Sequence, residues 1–432
     1  MEKLKCMKPI ISILKYCGRV VLAAVLLQSS MSVVAQPVRS LKEIRDEILQ
    51  RNPAFSMVDA SVKAMDAEAE GAFSWMAPEV GAGFFQAPYN VSKWKSENGM
   101  PGMGMFMVSA EQMFPNKKAQ QAQYDYLKSR GGVELEKKQE MLNEMMTRVR
   151  GAYYSLMLAT KKLELIEQNR KLIRFMMQSA EIRYKNDLGN INSYYKLTAA
   201  LARLSIDSQL IRVDEVKQKS LIHSLMLEEQ PADFSVDTTI QWVDFSGLIG
   251  DSTVLMQNAA YKGIQQQMYS NQLMIQSEKM ALKPQFGIRF EHMTGFGRQP
   301  QMFSLMGMVK LPMARWSSKM NEAKVKSLEL ENESLKASQR AFLSEAYTVI
   351  RTKWIERNGV QVEMKLYQEK IIPALEKNFQ VNLLGFEQNK TEILELLDAW
   401  QELIDAKNEQ LNLLKEALDI QSELMNLFQI TA

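Results

Sequence analysis

Pro284-Gln285-Phe286-Gly287-Ile288-Arg289-Phe290-Glu291 alternates strictly after its proline, with Phe286, Ile288 and Phe290 on one side and Gln285, Arg289 and Glu291 on the other. A period of two is the signature of a strand with one greasy and one wet face. The stretch has an earlier counterpart. In Met76-Ala77-Pro78-Glu79-Val80-Gly81, Pro78 stands 206 residues before Pro284, and Asn52 of Arg51-Asn52-Pro53 stands the same distance before Asn258. The interval then shortens, because Phe114-Pro115 lies 197 residues before Leu311-Pro312. The first copy therefore carries an insertion, which falls in the Gly-, Pro-, Asn- and Ser-rich segment 88–104. The chain is a duplication.

Each copy returns through a second alternating segment. Phe303, Leu305, Val309 and Leu311 interleave with Met302, Ser304, Met306, Met308 and Lys310, and Phe106 and Val108 with Met105, Met107, Ser109 and Glu111. The pattern predicts strands at about 78–87 and 103–113 in the first copy and at about 284–292 and 301–311 in the second. A half-buried soluble hairpin shows the same alternation. Strand lengths near ten residues, one longer hairpin loop and an export leader point to a membrane barrel. Four strands cannot close a barrel, and an open edge facing lipid leaves backbone groups unpaired. Such a chain must oligomerise.

The rest reads as helix. Long runs are expected at about 117–186 and 315–388, with shorter return helices at about 192–227 and 390–428. At about 1.5 Å per residue each long run spans on the order of 100 Å. Leu142, Met145, Val149, Ala152, Leu156, Ala159, Leu163 and Ile166 keep 3/4 spacing, while Leu158, Leu165 and Leu172 form a second stripe. Two stripes call for two packed neighbours, as in a closed ring of helices. Pro373 predicts an irregularity inside the second long run.

Composition narrows the function. Residues 1–35 read as a signal peptide, with Lys3, Lys5, Lys8, Lys15 and Arg19 before and around the short apolar core Val20 to Leu27, and Val33-Val34-Ala35 as a cleavage site. Both cysteines, Cys6 and Cys17, fall inside it, so disulfides, thiolate metal sites and cysteine nucleophiles are excluded from the exported chain. Cys17 lacks a lipobox context, and no lipid anchor is expected. Removing the leader turns a formal charge of +3 into −1, which gives a nucleic-acid partner no support. No apolar stretch is long enough for a membrane helix. The two histidines, His223 and His292, are too far apart in sequence to suggest a pair and are expected as isolated surface or interface residues. With no Ser-His-Asp order, phosphate loop or HExxH, we expect no catalytic residue, no resident metal and no cofactor.

Several motifs now join. Arg51-Asn52-Pro53, the segment Glu111-Gln112-Met113-Phe114-Pro115-Asn116-Lys117-Lys118, Ile371-Ile372-Pro373-Ala374-Leu375-Glu376, and Phe386-Glu387-Gln388-Asn389-Lys390-Thr391-Glu392-Ile393-Leu394-Glu395-Leu396-Leu397-Asp398-Ala399 occur in order on the duplicated plan. Together they resemble the TolC-like outer membrane efflux family over nearly the whole chain beyond residue 35. Asn389 replaces the family's usual glycine, and the first-copy turn from Tyr184 to Gly189 is two residues wider than the family's.

The resemblance implies a mainly α fold with a small β part, in which a duplicated long-helix and β-hairpin unit forms a trimeric α-helical barrel capped by a 12-stranded outer-membrane β-barrel. It divides the chain into a first repeat at 36–228, an equatorial connector at 229–257 and a second repeat at 258–432. It implies a homotrimer in outer-membrane lipid, with the helical barrel in the periplasm. The partners implied are a periplasmic adaptor and an inner-membrane pump of a tripartite efflux or type I export system, for which the chain is a passive duct. It also places Asp187, Gly189, Asn190, Glu387, Gln388, Asn389 and Glu392 at the periplasmic tip, as a gate or an adaptor-docking surface. Threefold carboxylates in a narrow opening repel one another unless cations or partner groups bind. Ordinary helix capping, with Thr391 or Asn389 as N-cap, is the simpler reading of the same residues.

Parity puts Met103, Met105, Met107, Glu111, Met306, Met308 and Lys310 on one strand face, as a lumen lining. With 30 methionines in 432 residues, Met can be a general flexible hydrophobe here. Alternatively the thioethers serve Cu(I) or Ag(I), and the segment Gln112 to Pro115 resembles the family's heavy-metal branch. A different class of function, a structural coiled-coil protein of the surface or periplasm, shares the leader, heptads and oligomer but has no use for two matched hairpins.

Overall fold

The structure, a computed structural model, describes residues 37–187, 190–228, 232–250, 252–388 and 390–430. The expected signal peptide with its cysteines, Gly189 and Asn389 lie outside the described residues. The chain divides into two compact units. In the smaller, strand β1 (Val38–Arg39) pairs in parallel with β4 (Ser235–Val236), and the Arg39 guanidinium sits 5.5 Å over the Phe234 ring.

The larger unit is built twice. The first half runs through α1 (Leu41–Arg51), α2 (Pro53–Glu70), β2 (Glu79–Phe85), β3 (Met105–Phe114), α3 (Lys117–Lys185) and α4 (Ile191–Met226). After a short helix α5 (Ser252–Leu255) the second half runs through α6 (Ala259–Ala281), β5 (Gln285–Gly295), β6 (Met302–Lys310), α7 (Lys319–Leu366), α8 (Ile372–Glu387) and α9 (Ile393–Phe428). Asparagine opens four of these helices. The side-chain oxygens of Asn52, Asn116, Asn190 and Asn258 each accept from the backbone N–H two residues on, which satisfies a donor the helix itself leaves free.

The second long run departs from the sequence reading at its start and at the helix that follows it, and it carries the irregularity expected at Pro373. It begins at Lys319 rather than near 315, because Pro312 to Ser318 forms tight turns in which the Ser317 hydroxyl donates to the Pro312 and Ala314 carbonyls. It is interrupted at Tyr367–Ile371 by a π-helical turn immediately before Pro373. Proline has no N–H to donate one turn back, and its ring crowds the carbonyl there, so the wider turn absorbs the conflict. Finally, α9 begins at Ile393 rather than near 390, because the Lys390 and Thr391 N–H groups are both held by the Gly385 carbonyl, at 2.8 and 3.2 Å.

Strands and helices follow one lateral order. The sheet runs β2-β3-β5-β6, all antiparallel. Beside the sheet the helices contact in the order α2-α3-α6-α7, and toward the other end in the order α4-α3-α9-α8. Helix α3 thus has a neighbour on each flank for its whole length. From Val149 to Ala159 it is buried on nearly every side, with Tyr153, Tyr154 and Met157 joining Ala152 and Leu156. Met146, rather than Met145, holds the buried position one turn earlier.

Two apolar cores tie this unit together. At the far end, Ile173, Met176, Leu197, Phe386, Leu396 and Trp400 bring α3, α4, α8 and α9 into contact. A second core joins Phe245 and Leu255 of the connecting segment to Ile350 of α7 and to Ala417 and Leu424 of α9. Buried Arg357 supports it, donating from Nη2 to the Val243 carbonyl at 3.0 Å and lying 5.3 Å over the Phe245 ring and 5.4 Å over the Trp354 ring. Among the described residues no helix is long and apolar enough to cross a membrane.

Candidate functional site

The strand register sorts the sheet's side chains into two faces. Val80, Phe84, Phe106, Val108, Phe286, Ile288, Phe290, Phe303, Leu305 and Val309 fall on one, and most of them are exposed in the single chain. The opposite face carries cross-strand rows. Glu79, Glu111, Arg289 and Met306 stand in one, Gly81, Ser109, Glu291 and Ser304 in the next, and Gly83, Met107, Met293 and Met302 in a third.

Met105, Met107 and Glu111 do share this face with Met306, Met308 and Lys310 by register. Met103 does not belong to the strand. Gly104, at φ +97°, breaks the extended run before it starts at Met105, and the Met103 N–H donates to the Lys93 carbonyl at 2.8 Å within the loop. A side chain at Gly104 would also press into the Ala87 backbone, so this turn needs glycine twice over.

Glu111 has a partner that the site residues chosen from sequence omit. Arg289 donates from Nε at 3.0 Å and from Nη2 at 2.5 Å to the same oxygen of Glu111, and its Nη1 lies 4.0 Å from Glu291. Strand alternation alone puts Arg289 on the wet face, but only the register places it opposite Glu111.

Aromatic rings gather at both ends of the sheet. Near the hairpin loops, Trp94 stacks on Phe296 at 4.9 Å, and Phe84 packs against both and against Phe106. The 88–104 insertion is not loose, since Trp94 Nε1 donates to the Pro88 carbonyl and Gly102 N–H to the Gly297 carbonyl of the other hairpin. Where the strands meet the helices, Trp75 contacts Phe114 edge-on at 5.5 Å and Phe73 meets Tyr124 at 5.2 Å.

At the far end of the helices, the two turns flank a cleft of about 600 Å³. Asn190 and Glu392 line it, together with Arg183, Lys196, Phe386 and Lys390. Asp187, Glu387 and Gln388 are exposed on the turns but do not line it. Asn190 caps α4, whereas Thr391 does not cap α9. Glu392 occupies that position, without a side-chain bond. Asp187 takes a left-handed conformation at φ +58°. Arg183 and Phe386 are the residues that sequence reading missed. The guanidinium lies 4.3 Å over the buried ring, a contact across helices that no spacing within one helix reveals. Gly385 is required here, because a Cβ on it would overlap the Thr391 side chain.

A second cleft, of about 380 Å³, lies between α3, α4 and α9, beside a buried bond of 3.0 Å from Trp400 Nε1 to Asn169 Oδ1. Lys162 on its wall is held below the usual lysine range, first by burial and then by the charge of Lys415. His223, expected as isolated, is instead paired, with its Nδ1 2.6 Å from Glu228 and both side chains largely buried. Among the described residues no three His, Cys, Asp or Glu side chains cluster as a metal site.

No protein-family model matches the chain, and no curated protein sequence matches it. Solved structures do. The outer membrane protein VceC of Vibrio cholerae superposes with a TM-score of 0.68 at 15% identity, over 90% of this chain and 95% of that one. CusC, described by its conformational changes on folding and transmembrane channel formation, gives 0.68 at 13% identity over 92% and 95%. The open state of the Neisseria gonorrhoeae MtrE outer membrane channel gives 0.65 at 11% over 90% and 88%. The chain has the fold of the TolC-like outer-membrane efflux channels.

Proposed function

We propose that the protein is the outer-membrane duct of an export system, formed by three copies and without chemistry of its own. One observation carries the reading. The four-stranded sheet exposes an apolar face, turns a face of charges, serines and methionines the other way, and ends in two unpaired edges, β2 and β6. Lipid tolerates the apolar face but not the edges, so closure by further copies satisfies both. Two copies would give eight strands, whose interior side chains fill. Three give twelve and leave a lumen.

The strands are the right size, since β5 has 11 residues and β6 nine, enough for tilted spans of the bilayer. Aromatic clusters at both ends of the sheet suit the two interfacial girdles of such a barrel. On this reading the helices stand in the periplasm, and only the strand regions are embedded in lipid.

The helical part supports the same assembly. Ile206, Leu210, Val213 and Val216 on α4, and Ile355, Val362, Leu366, Val381 and Leu384 on α7 and α8, are 41–68% exposed although apolar. These helices are the two lateral edges of the layer α4-α3-α9-α8. Their heights agree. Val216 lies 25 residues from the start of α4 and Val362 lies 25 residues from the end of α8, both roughly 38 Å from the tip at 1.5 Å per residue. Head-to-tail closure would lay one stripe along the other.

The periplasmic adaptor and the inner-membrane pump enter as partners through the likeness to efflux channels, with the pump supplying the energy. The tip residues Asp187, Asn190, Glu387, Gln388 and Glu392, with Gly189 and Asn389, are then the docking surface or the gate. The test is fractionation and reconstitution of the native protein. A heat-modifiable oligomer in the outer membrane that conducts ions in planar bilayers is expected, and recovery as a soluble, non-conducting periplasmic rod would support the coiled-coil structural reading instead.

A further inference from the structure

The methionine row at the hairpin-loop end of the polar sheet face is unusual for a wall wetted by a lumen, where polar side chains are the norm. Met107 of β3 and Met302 of β6 lie directly opposite Met293 of β5, on its two sides. Directly opposed residues place their Cβ atoms about 4.5–5.5 Å apart, and the three rotatable bonds of each outer methionine let both thioethers converge over the central one. Met293 is only 9% exposed although it stands on an open sheet face. Next to Met107 the row continues with Gly83, which has no side chain to compete for the space. Glu291, two residues before Met293 on the same face, brings a carboxylate to within one strand step. Three soft, neutral donors beside an anionic group suit a soft monovalent cation, while the hard divalent ions prefer oxygen.

We propose that Met107, Met293 and Met302 form a thioether site for Cu(I) or Ag(I), repeated once per chain around the lumen. The site makes soft metal cations a cargo class of the duct. It deepens the duct reading, because the face is a lumen wall only if the barrel closes. Met293 adds a buried centre that sequence alternation among the return strands does not supply.

The chain from residue 36 on, which lacks Cys6 and Cys17, titrated in detergent with silver nitrate in chloride-free buffer and followed by equilibrium dialysis and silver X-ray absorption, tests it. Silver avoids any redox step. One site per chain is expected, at least tenfold tighter than the background and with sulfur-only neighbours. It should vanish in Met107→Leu/Met293→Leu/Met302→Leu and persist in Met57→Leu/Met320→Leu, whose methionines are exposed on helices α2 and α7. Should the triple variant fail to assemble, Met293→Leu alone reads the same loss. Equal silver binding in the strand and helix variants would overturn the proposal. Bilayer conductance of the same samples separates the readings: conduction without tight silver leaves the duct and removes the site, and tight silver without conduction does the reverse.

Discussion

Asn52 donates from Nδ2 to the Leu225 carbonyl at 2.9 Å, and Asn258, its counterpart in the second copy, donates in the same way to the Leu427 carbonyl at 3.1 Å. Each also caps its own helix. The duplicated asparagine therefore clamps the start of one helix to the last turn of the return helix in both repeats. Both side chains are nearly buried, so the two bonds are shielded from water. Asn258→Ala loses a cap and leaves a carbonyl with one partner fewer, at a cost of about 1–3 kcal/mol. A fall in thermal midpoint is expected for Asn258→Ala and for Asn52→Ala, with the oligomer retained at lower temperature. No change in either would show that the clamp is incidental.

Arg357 holds the connecting segment by one carbonyl bond and two ring contacts. Arg357→Ala strips Phe245 of its cover and frees the Val243 carbonyl, for about 2–4 kcal/mol in total. Limited proteolysis is the sensitive readout, with new cleavage expected between Gln241 and Gly250 before any other site. Cleavage that starts in α3 instead would contradict this account of the anchor.

On the strand face, Arg289 lies between Glu111 and Glu291, and Glu79 stands across from Glu111. Removing the cation leaves the carboxylates unopposed, which in the proposed trimer would repeat three times around the lumen. Arg289→Ala should become more cation-selective, with the bilayer reversal potential in a salt gradient moving toward the cation limit. A reversal potential that stays put would place this row outside the conducting path.

At the tip, Asp187 and Glu387 stand exposed on the turns, where threefold symmetry would crowd like charges. Single-channel conductance is expected to rise in Asp187→Ala and Glu387→Ala, or to lose its sensitivity to divalent cations. The cationic cleft behind them offers the contrasting control. Arg183→Ala removes the cover of Phe386 and should lower stability rather than open the pore.

Much of this fold was legible in the chain because its signals are local. The prolines at 78, 115, 284 and 312, the asparagine caps and the alternation around Phe286 and Phe303 act over a few residues, and the duplication states each of them twice. What was not legible depends on partners distant in sequence. Arg289 meets Glu111 across 178 residues, and Arg183 covers Phe386 from another helix. Nothing near His223 in a helical reading points to Glu228 as a buried partner just past the left-handed Leu227. The start of α7 was missed for a local reason: Ser317 and Ser318 satisfy turn carbonyls and delay the helix that the apolar spacing alone would begin earlier.

The closing of three copies is tested most directly by a cysteine at each lateral edge. Beyond position 17 the chain has no cysteine of its own, so Val216→Cys/Val362→Cys, made in the chain from residue 36 on, places one thiol on α4 and one at matching height on α7 with no other thiol present. After mild oxidation of membranes, non-reducing electrophoresis should show bands of two and three copies and nothing larger, with each single variant remaining uncrosslinked. A double variant that stays monomeric, or a ladder that continues past three, would contradict the closed trimeric duct.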